Sequence, residues 1–255
     1  MQYEIIRPCE LLKDFISHFW VGTWDVNSQR VNSTHYIIAS SLTEITFAFK
    51  ENKKYSELLF TTIQGQTYEP NQYAVDEYYH LLGVSFYSHA IPYLFNIPST
   101  ELNNEYLSLD TFLGQDARIL TETIAVAATT EQRVRILSEY FINSLKKRKF
   151  EDGLILNAIE YIRKRNGDVK ITEIASDFGL SQKQFNRRFK VFTGFSPKLY
   201  SRIIRFESVI KSHPNAQNLT DLAHLNNYYD QAHFIHEFKS FAGFTPKDFW
   251  KLSDE

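Results

Sequence analysis

The sequence predicts an α+β chain in two parts, a β-barrel-like domain with helices at its end and then an all-α domain of two helix-turn-helix motifs. Three observations carry this. The first hundred residues are short β-branched and aromatic runs between turn residues. From about residue 116 the apolar period becomes helical. The last ninety residues contain an internal repeat.

The strand-like runs are Thr34–Ala39, Thr43–Phe49, Leu58–Ile63 and Leu81–Tyr87. In Glu44-Ile45-Thr46-Phe47-Ala48-Phe49 apolar side chains alternate, as for a strand with one face in a core. Asn52, Gly65, Pro70-Asn71, Pro92 and Pro98 break the chain between or after runs. Short strands at this spacing suit a small antiparallel barrel or sandwich, and the domain is read as β-barrel-like and cupin-like. Helices are predicted over about 116–127 and 131–147, the second capped by Thr130. Val134, Leu137, Tyr140 and Phe141 share one side of the second helix, which offers either a homodimer surface or packing onto its own barrel. Lys146-Lys147-Arg148-Lys149 closes that helix, where cations suit the macrodipole, and marks the expected boundary between domains at 1–148 and 152–255.

In the repeat, Ile171-Thr172-Glu173-Ile174-Ala175 returns as Leu219-Thr220-Asp221-Leu222-Ala223 after forty-eight residues. Phe185-Asn186-Arg187-Arg188-Phe189-Lys190 returns as Phe234-Ile235-His236-Glu237-Phe238-Lys239 after forty-nine, so one residue has been inserted. Gly194-Phe195-Ser196-Pro197 returns as Gly243-Phe244-Thr245-Pro246. Each copy reads as two helices around a tight turn. Thr172 and Thr220 are the expected caps of the first helices, Ser181 and Asp230 those of the second. Gly179 and Asn227 suit the left-handed position that ends the first helix. The motifs fall at about 171–193 and 219–242, with a linker helix over about 197–212.

At about 100° per residue, Phe185, Phe189 and Phe192 share one side of the second helix. Lys183, Arg187 and Lys190 lie nearly opposite, with Asn186 at the flank. An aromatic inner stripe with a basic, amide-bearing outer stripe fits a major groove, where Arg and Lys donate to guanine and Asn pairs with adenine. In the second copy Phe234, Phe238 and Phe241 are the inner stripe and Ala232, His236 and Lys239 the outer one. Glu237 replaces Arg188 and would repel phosphate there.

Charge agrees. The whole chain has a formal charge of -2, yet residues 161–211 hold twelve Lys and Arg against four Asp and Glu. A local excess of +8 is the footprint of a polyanion partner, although a solvated basic surface would also produce it.

Two helix-turn-helices about fifty residues apart, ending in Gly-Phe-Thr-Pro-Lys-Asp-Phe, resemble the DNA-binding domain of AraC/XylS-type transcription regulators. Tyr228-Tyr229-Asp230-Gln231-Ala232-His233-Phe234 is close to that family's Gly-Phe-x-Asp-Gln-Ser-His-Phe segment. Arg7-Pro8, Phe15-Ile16-Ser17-His18-Phe19-Trp20 and the run from Gly83 to Pro98 are similar to a companion sensor domain. The resemblance implies a bacterial, cytoplasmic regulator of transcription that is not an enzyme and needs no cofactor. It implies double-stranded DNA as partner, an N-terminal domain that binds a small-molecule effector or mediates dimerisation, and RNA polymerase if the protein activates. Carried over by position, the base-reading residues are Lys183, Asn186 and Arg187, then Gln231, Ala232 and His236. Thr172, Ser181, Lys190, Arg202 and Lys239 are the phosphate-contacting residues. The departures at Asn227 and His236-Glu237 imply that the first motif dominates affinity.

The aromatic content of 15% favours an aromatic-lined effector pocket, with Trp20, Trp24, Phe47 and Tyr87 as candidate liners. An alternative reading is a metal-dependent cupin-like enzyme fused to a DNA-binding tail, from His35, His80 and His89 with Glu44 or Glu69. However, no His-x-His with a downstream Glu appears. His233, His236 and Glu237 share helical spacing but lack the His-Glu-x-x-His order. A helix-turn-helix used for protein contacts is a third reading, disfavoured by the basic face. Cys9, the single cysteine, excludes a disulfide framework and reads as a small buried hydrophobe. No signal peptide and no membrane span are expected.

Overall fold

The computed structural model describes residues 2–24, 34–51, 56–74, 79–213, 216 and 218–254. The chain divides into two units. The first is 1–35, 42–66 and 73–151, and the second is 36–41, 67–72 and 152–255.

The first unit is built on a six-stranded antiparallel sheet. Its strands are β1 (Gln2–Ile6), β2 (Ile16–Trp24), β4 (Leu42–Glu51), β5 (Ser56–Gln64), β7 (Tyr79–Tyr87) and β8 (Tyr106–Ser108), in the order β1-β2-β7-β4-β5-β8. The short strands β3 (Thr34–Ile37) and β6 (Asn71–Ala74) pair separately, so the sheet is open rather than a closed barrel. β2 was not anticipated. Both its faces carry aromatic side chains in buried places, Phe19 and Trp20, and a bulge between Ile16 and His18 breaks the alternation.

One sheet face packs on helices α1 (Ala90–Phe95), α2 (Leu109–Leu113), α3 (Gln115–Val126) and α4 (Thr130–Lys146). Phe19, Ile45, Phe47, Val84 and Phe86 meet Ile91, Leu94, Leu120, Ile124, Leu137 and Phe141 in this core. The rings of Phe86 and Phe141 meet edge to face, with centroids 5.0 Å apart. Of the two readings of 131–147, the described side chains follow packing onto their own domain. Leu137 and Phe141 are fully buried in their own unit, and Val134 and Tyr140 pack against the same core. The cap of α4 is Thr129, whose hydroxyl accepts the N–H of Gln132, one residue before the one expected. Cys9 is exposed rather than buried.

On the other face Trp20 lies across Gly83, its strand partner. A β-carbon at position 83 would stand 2.0 Å from the indole. Gly83→Ala therefore has to displace Trp20 from its stack on Tyr3 and from its hydrogen bond to Glu44. We expect a loss of about 1–3 kcal/mol in urea unfolding. An unchanged midpoint would show that the indole relocates without cost.

The second unit is the predicted repeat. Helix α5 (Gly153–Lys164) is followed by α6 (Ile171–Asp177) and α7 (Gln182–Thr193), then by the linker α8 (Pro197–Ser212), α9 (Leu219–Leu225), α10 (Gln231–Ala242) and α11 (Pro246–Asp254). Phe185, Phe189, Phe234 and Phe238 are fully buried, and Phe192 and Phe241 nearly so. Gly179 and Asn227 are both left-handed, at φ 64° and 56°, as are the closing Gly194 and Gly243. Thr172 and Thr220 are not caps. The cap positions lie two residues earlier, at Lys170 and at Asn218, whose side chain accepts the N–H of Asp221.

Segments 36–41 and 67–72 lie within this unit. Ser41 donates its N–H to Glu207 of α8 at 2.6 Å, and Ala39 donates to the Phe241 carbonyl at 2.9 Å. Tyr36 meets the ring of Phe244, and Tyr68 that of Phe195, so each Gly-Phe-Ser/Thr-Pro turn receives one tyrosine. Burial pushes the Glu207 carboxyl above the usual range, against the hydrogen bonds from Ser41 and the charges of Lys211 and Arg163.

Candidate nucleic-acid interface

The start of α7 is fixed by a capping box. The Ser181 hydroxyl accepts the N–H of Gln184 at 3.3 Å, and the Gln184 side chain accepts the N–H of Ser181 at 3.1 Å. With that end set and the phenylalanines buried, the opposite face is fixed in space. It carries Lys183, Asn186, Arg187 and Lys190, all exposed. No acidic side chain among the described residues pairs with Lys183, Arg187 or Lys190. Thr172 is exposed at the second position of α6.

Arg188 is different. Its guanidinium makes a two-pronged bond to Asp152, the cap of α5, at 2.7 and 2.6 Å. That bond holds its pKa above the usual value, and the side chain turns toward the fold rather than the interface.

Helix α10 starts on Asp230, which accepts the N–H of His233 at 2.7 Å. Gln231, Ala232, His236 and Lys239 are exposed as the sequence predicts. Thr220 donates its hydroxyl to the Gln231 side-chain oxygen at 3.2 Å, which orients that amide. Glu237 is the correction. It does not face a phosphate but is 3% exposed, and it accepts Arg202 at 2.7 Å and Arg205 at 3.1 Å from α8. Burial raises the carboxyl's pKa, but the Arg202 hydrogen bond and the two guanidinium charges outweigh it and hold the group below the usual carboxylate range. Arg202, read as a phosphate contact, is thus committed to Glu237 and stacks its guanidinium 5.0 Å from the Phe241 ring centre. Arg205 was not singled out in the sequence. Its signal was its i, i+3 spacing from Arg202 on one face of a helix. The inward turn of Glu237 also separates it from the exposed His233 and His236, so the three do not converge on a metal.

The interface therefore contrasts two copies of one scaffold. Arg188 and Glu237 occupy the same helix position and bind the preceding long helix with opposite polarity. What α7 shows outward is cationic and amide-bearing, which suits base edges and phosphates. What α10 shows outward carries less charge.

Of the four aromatic residues expected around an effector, the three whose side chains are described do not gather. Trp20 pairs across the sheet with Gly83, and Gly83 with Thr46, so the next residue, Phe47, faces the opposite side, in the core. Tyr87 stacks on His89, and the Trp24 side chain lies outside the described residues. A cavity of about 350 Å3 opens elsewhere in the first unit, among Tyr3, Val21, Thr23, Phe49, His80 and Arg133. Arg133 is nearly buried there, its guanidinium 3.9 Å from the centre of the Phe49 ring. Of the histidines read as possible ligands, His89 bonds the Asp14 carbonyl and His80 meets Thr23, while Glu44 accepts Trp20 and Ser85. No group of three or more metal-ligating side chains converges among the described residues.

Comparison with known proteins agrees with this geometry. Residues 174–251 match the family described as a helix-turn-helix domain, and residues 4–108 match a domain of unknown function. No curated protein sequence matches the chain. Among solved structures, ToxT from Vibrio cholerae in its 1.65 Å form is 12% identical, with a TM-score of 0.50. The likeness covers 91% of this chain and 97% of that one. ToxT from strain O395 bound to (E)-4-(8-methylnaphthalen-1-yl)but-3-enoic acid is 11% identical with the same coverage and TM-score. At these identities the likeness is one of fold. Residues 174–251 form an AraC-type helix-turn-helix domain. That domain places the chain with DNA-binding regulators of transcription. No helix among the described residues is long and apolar enough to cross a membrane.

Proposed function

We propose that the protein binds specific double-stranded DNA through both helix-turn-helices, with α7 supplying most of the affinity, and that it answers to a small molecule held in its first unit. The observation that carries the DNA reading is the exposed row Lys183, Asn186, Arg187 and Lys190, locked opposite a fully buried phenylalanine stripe. Arg187 and Asn186 have the chemistry for guanine and adenine edges, and Lys190 that for a phosphate. Selection from a random DNA pool, with wild type and Arg187→Ala in parallel, tests it. A motif enriched by the wild type and altered in the variant supports the reading. No enrichment at low salt, both proteins alike, overturns it.

The effector reading is supported by the 350 Å3 cavity, a largely polar site that sets the guanidinium of Arg133 beside the ring of Phe49 and near Thr23, His80 and Glu4. The guanidinium offers a counter-charge to a carboxylic acid, and ToxT of like fold has been solved with an aryl carboxylic acid. Thermal unfolding with a panel of aryl and alkyl carboxylic acids, with Arg133→Leu as control, checks this. A shift in the wild type that the variant lacks is the expected result.

A further inference from the structure

The residue by which the second helix-turn-helix exceeds the first lies in its turn. Leu180 and Tyr228 are equivalent, since each donates its N–H five residues back, to Ala175 at 2.9 Å and to Ala223 at 3.0 Å. In the first copy the cap Ser181 follows at once. In the second, Tyr229 is inserted before the cap Asp230. Its side chain is 90% exposed, more than any other large hydrophobic residue described. The ring is therefore open to a partner on the side from which α10 begins.

Tyr229 stands at the lip from which α10 begins, and the outward face that follows is unlike that of α7. Ala232 stands where α7 has Lys183, a half-buried Ile235 where it has Asn186, and His236 where it has Arg187. Glu237 is turned inward and neutralised. A methyl, a branched alkyl chain and an imidazole replace an ammonium, an amide and a guanidinium, and the inserted phenol ring of Tyr229 has no counterpart in the first copy. The major groove offers one apolar feature to such a surface, the C5-methyl of thymine. Gln231 supports the same assignment. With its oxygen accepting from Thr220, its amide presents N–H donors, which suit the O4 of thymine beside that methyl.

We infer that the second helix-turn-helix reads thymine methyl groups by direct apolar contact through Tyr229, Ala232 and Ile235. This rests on the DNA-binding reading above. It means that the two halves of the site are recognised by different chemistry, hydrogen bonds and charge at α7 and methyl contact at α10. The half-site under α10 is then thymine-bearing.

Replacement of thymine by deoxyuridine tests this, because it removes the methyl and leaves pairing and every hydrogen-bonding edge intact. The full chain is used, with the motif it enriches. The half-site altered by Arg187→Ala is assigned to α7 and the other to α10. Deoxyuridine in the α10 half-site should weaken binding about fourfold for each contacted methyl, and much less in the α7 half-site. Tyr229→Ala should lose affinity on thymine DNA and lose most of its sensitivity to the replacement. Its thermal unfolding should not move, since the ring is in water. Equal affinity for the thymine and deoxyuridine forms of the α10 half-site overturns the inference. So does a Tyr229→Ala variant that keeps the full sensitivity. A pool with no enriched motif overturns the DNA-binding reading itself, which is a separate result.

Discussion

Arg187→Ala lowers affinity for the selected site by about 10- to 100-fold, the worth of one good bidentate contact to a guanine. His236→Ala, at the equivalent place in the second copy, changes it by no more than a few fold. The difference follows from what each side chain can offer. Arg187 is exposed, has no acidic partner among the described residues, and projects from a helix whose first turn is fixed by the Ser181–Gln184 box. His236 sits among apolar neighbours and brings a smaller, weaker donor. Arg188→Ala is the control. Its guanidinium is held by Asp152, so its loss should lower stability and leave base preference unchanged. Lys190→Ala should reduce affinity for all sequences alike and lower the slope of log affinity against log salt by about 0.9. Binding titrations at several salt concentrations measure both. The assignment fails if His236→Ala abolishes specific binding while Arg187→Ala leaves it intact.

Glu237→Ala is expected to cost about 2–3 kcal/mol in urea unfolding at neutral pH. Removing one member of a buried ion pair costs about 3–5 kcal/mol, because the partner charge is left without compensation. Arg202 is over a third exposed, so water screens part of that loss. Arg205 is more enclosed, and its Nε finds no acceptor, so it bears most of the penalty. The same carboxyl gives an acid limb. Its folded-state pKa is lower than the ordinary 4.5, so folding favours the ionised form. The stabilisation is complete above that ordinary value and is lost as the pH falls through the lower folded value. Glu237→Gln should therefore be less stable than wild type at pH 7 and approach it as the pH falls below the ordinary carboxylate value. A constant difference between the two proteins from pH 7 to 3 would show that the carboxylate charge contributes nothing.

The second unit was legible because its signals are local. Each cap, left-handed turn and phenylalanine stripe is written within one or two helical turns, and the repeat states each of them twice. The role of Glu237 was not legible, because its partners lie 32 and 35 residues earlier and meet it only when α8 packs on α10. Opposite charge at the Arg188 position looked like repulsion of phosphate, whereas it is attraction within the core. In the first unit the strands with one apolar face were read, and β2 was missed because aromatic side chains fill both its sides. The effector residues failed for a related reason. Aromatic type does not say which side of a sheet a ring occupies, and the one-residue step from Thr46 to Phe47 carries that ring away from Trp20.

The reversed polarity of the two ion pairs makes the halves of the repeat non-interchangeable. A chimera carrying α10 in place of α7 would set Glu237 against Asp152, and the opposite graft would set Arg188 against Arg202 and Arg205. Each helix is thus keyed to its own seat, although the two copies share one helix-turn-helix form. If both surfaces meet DNA as proposed, that lock fixes their order along it, and the binding site has a polarity, one end unlike the other.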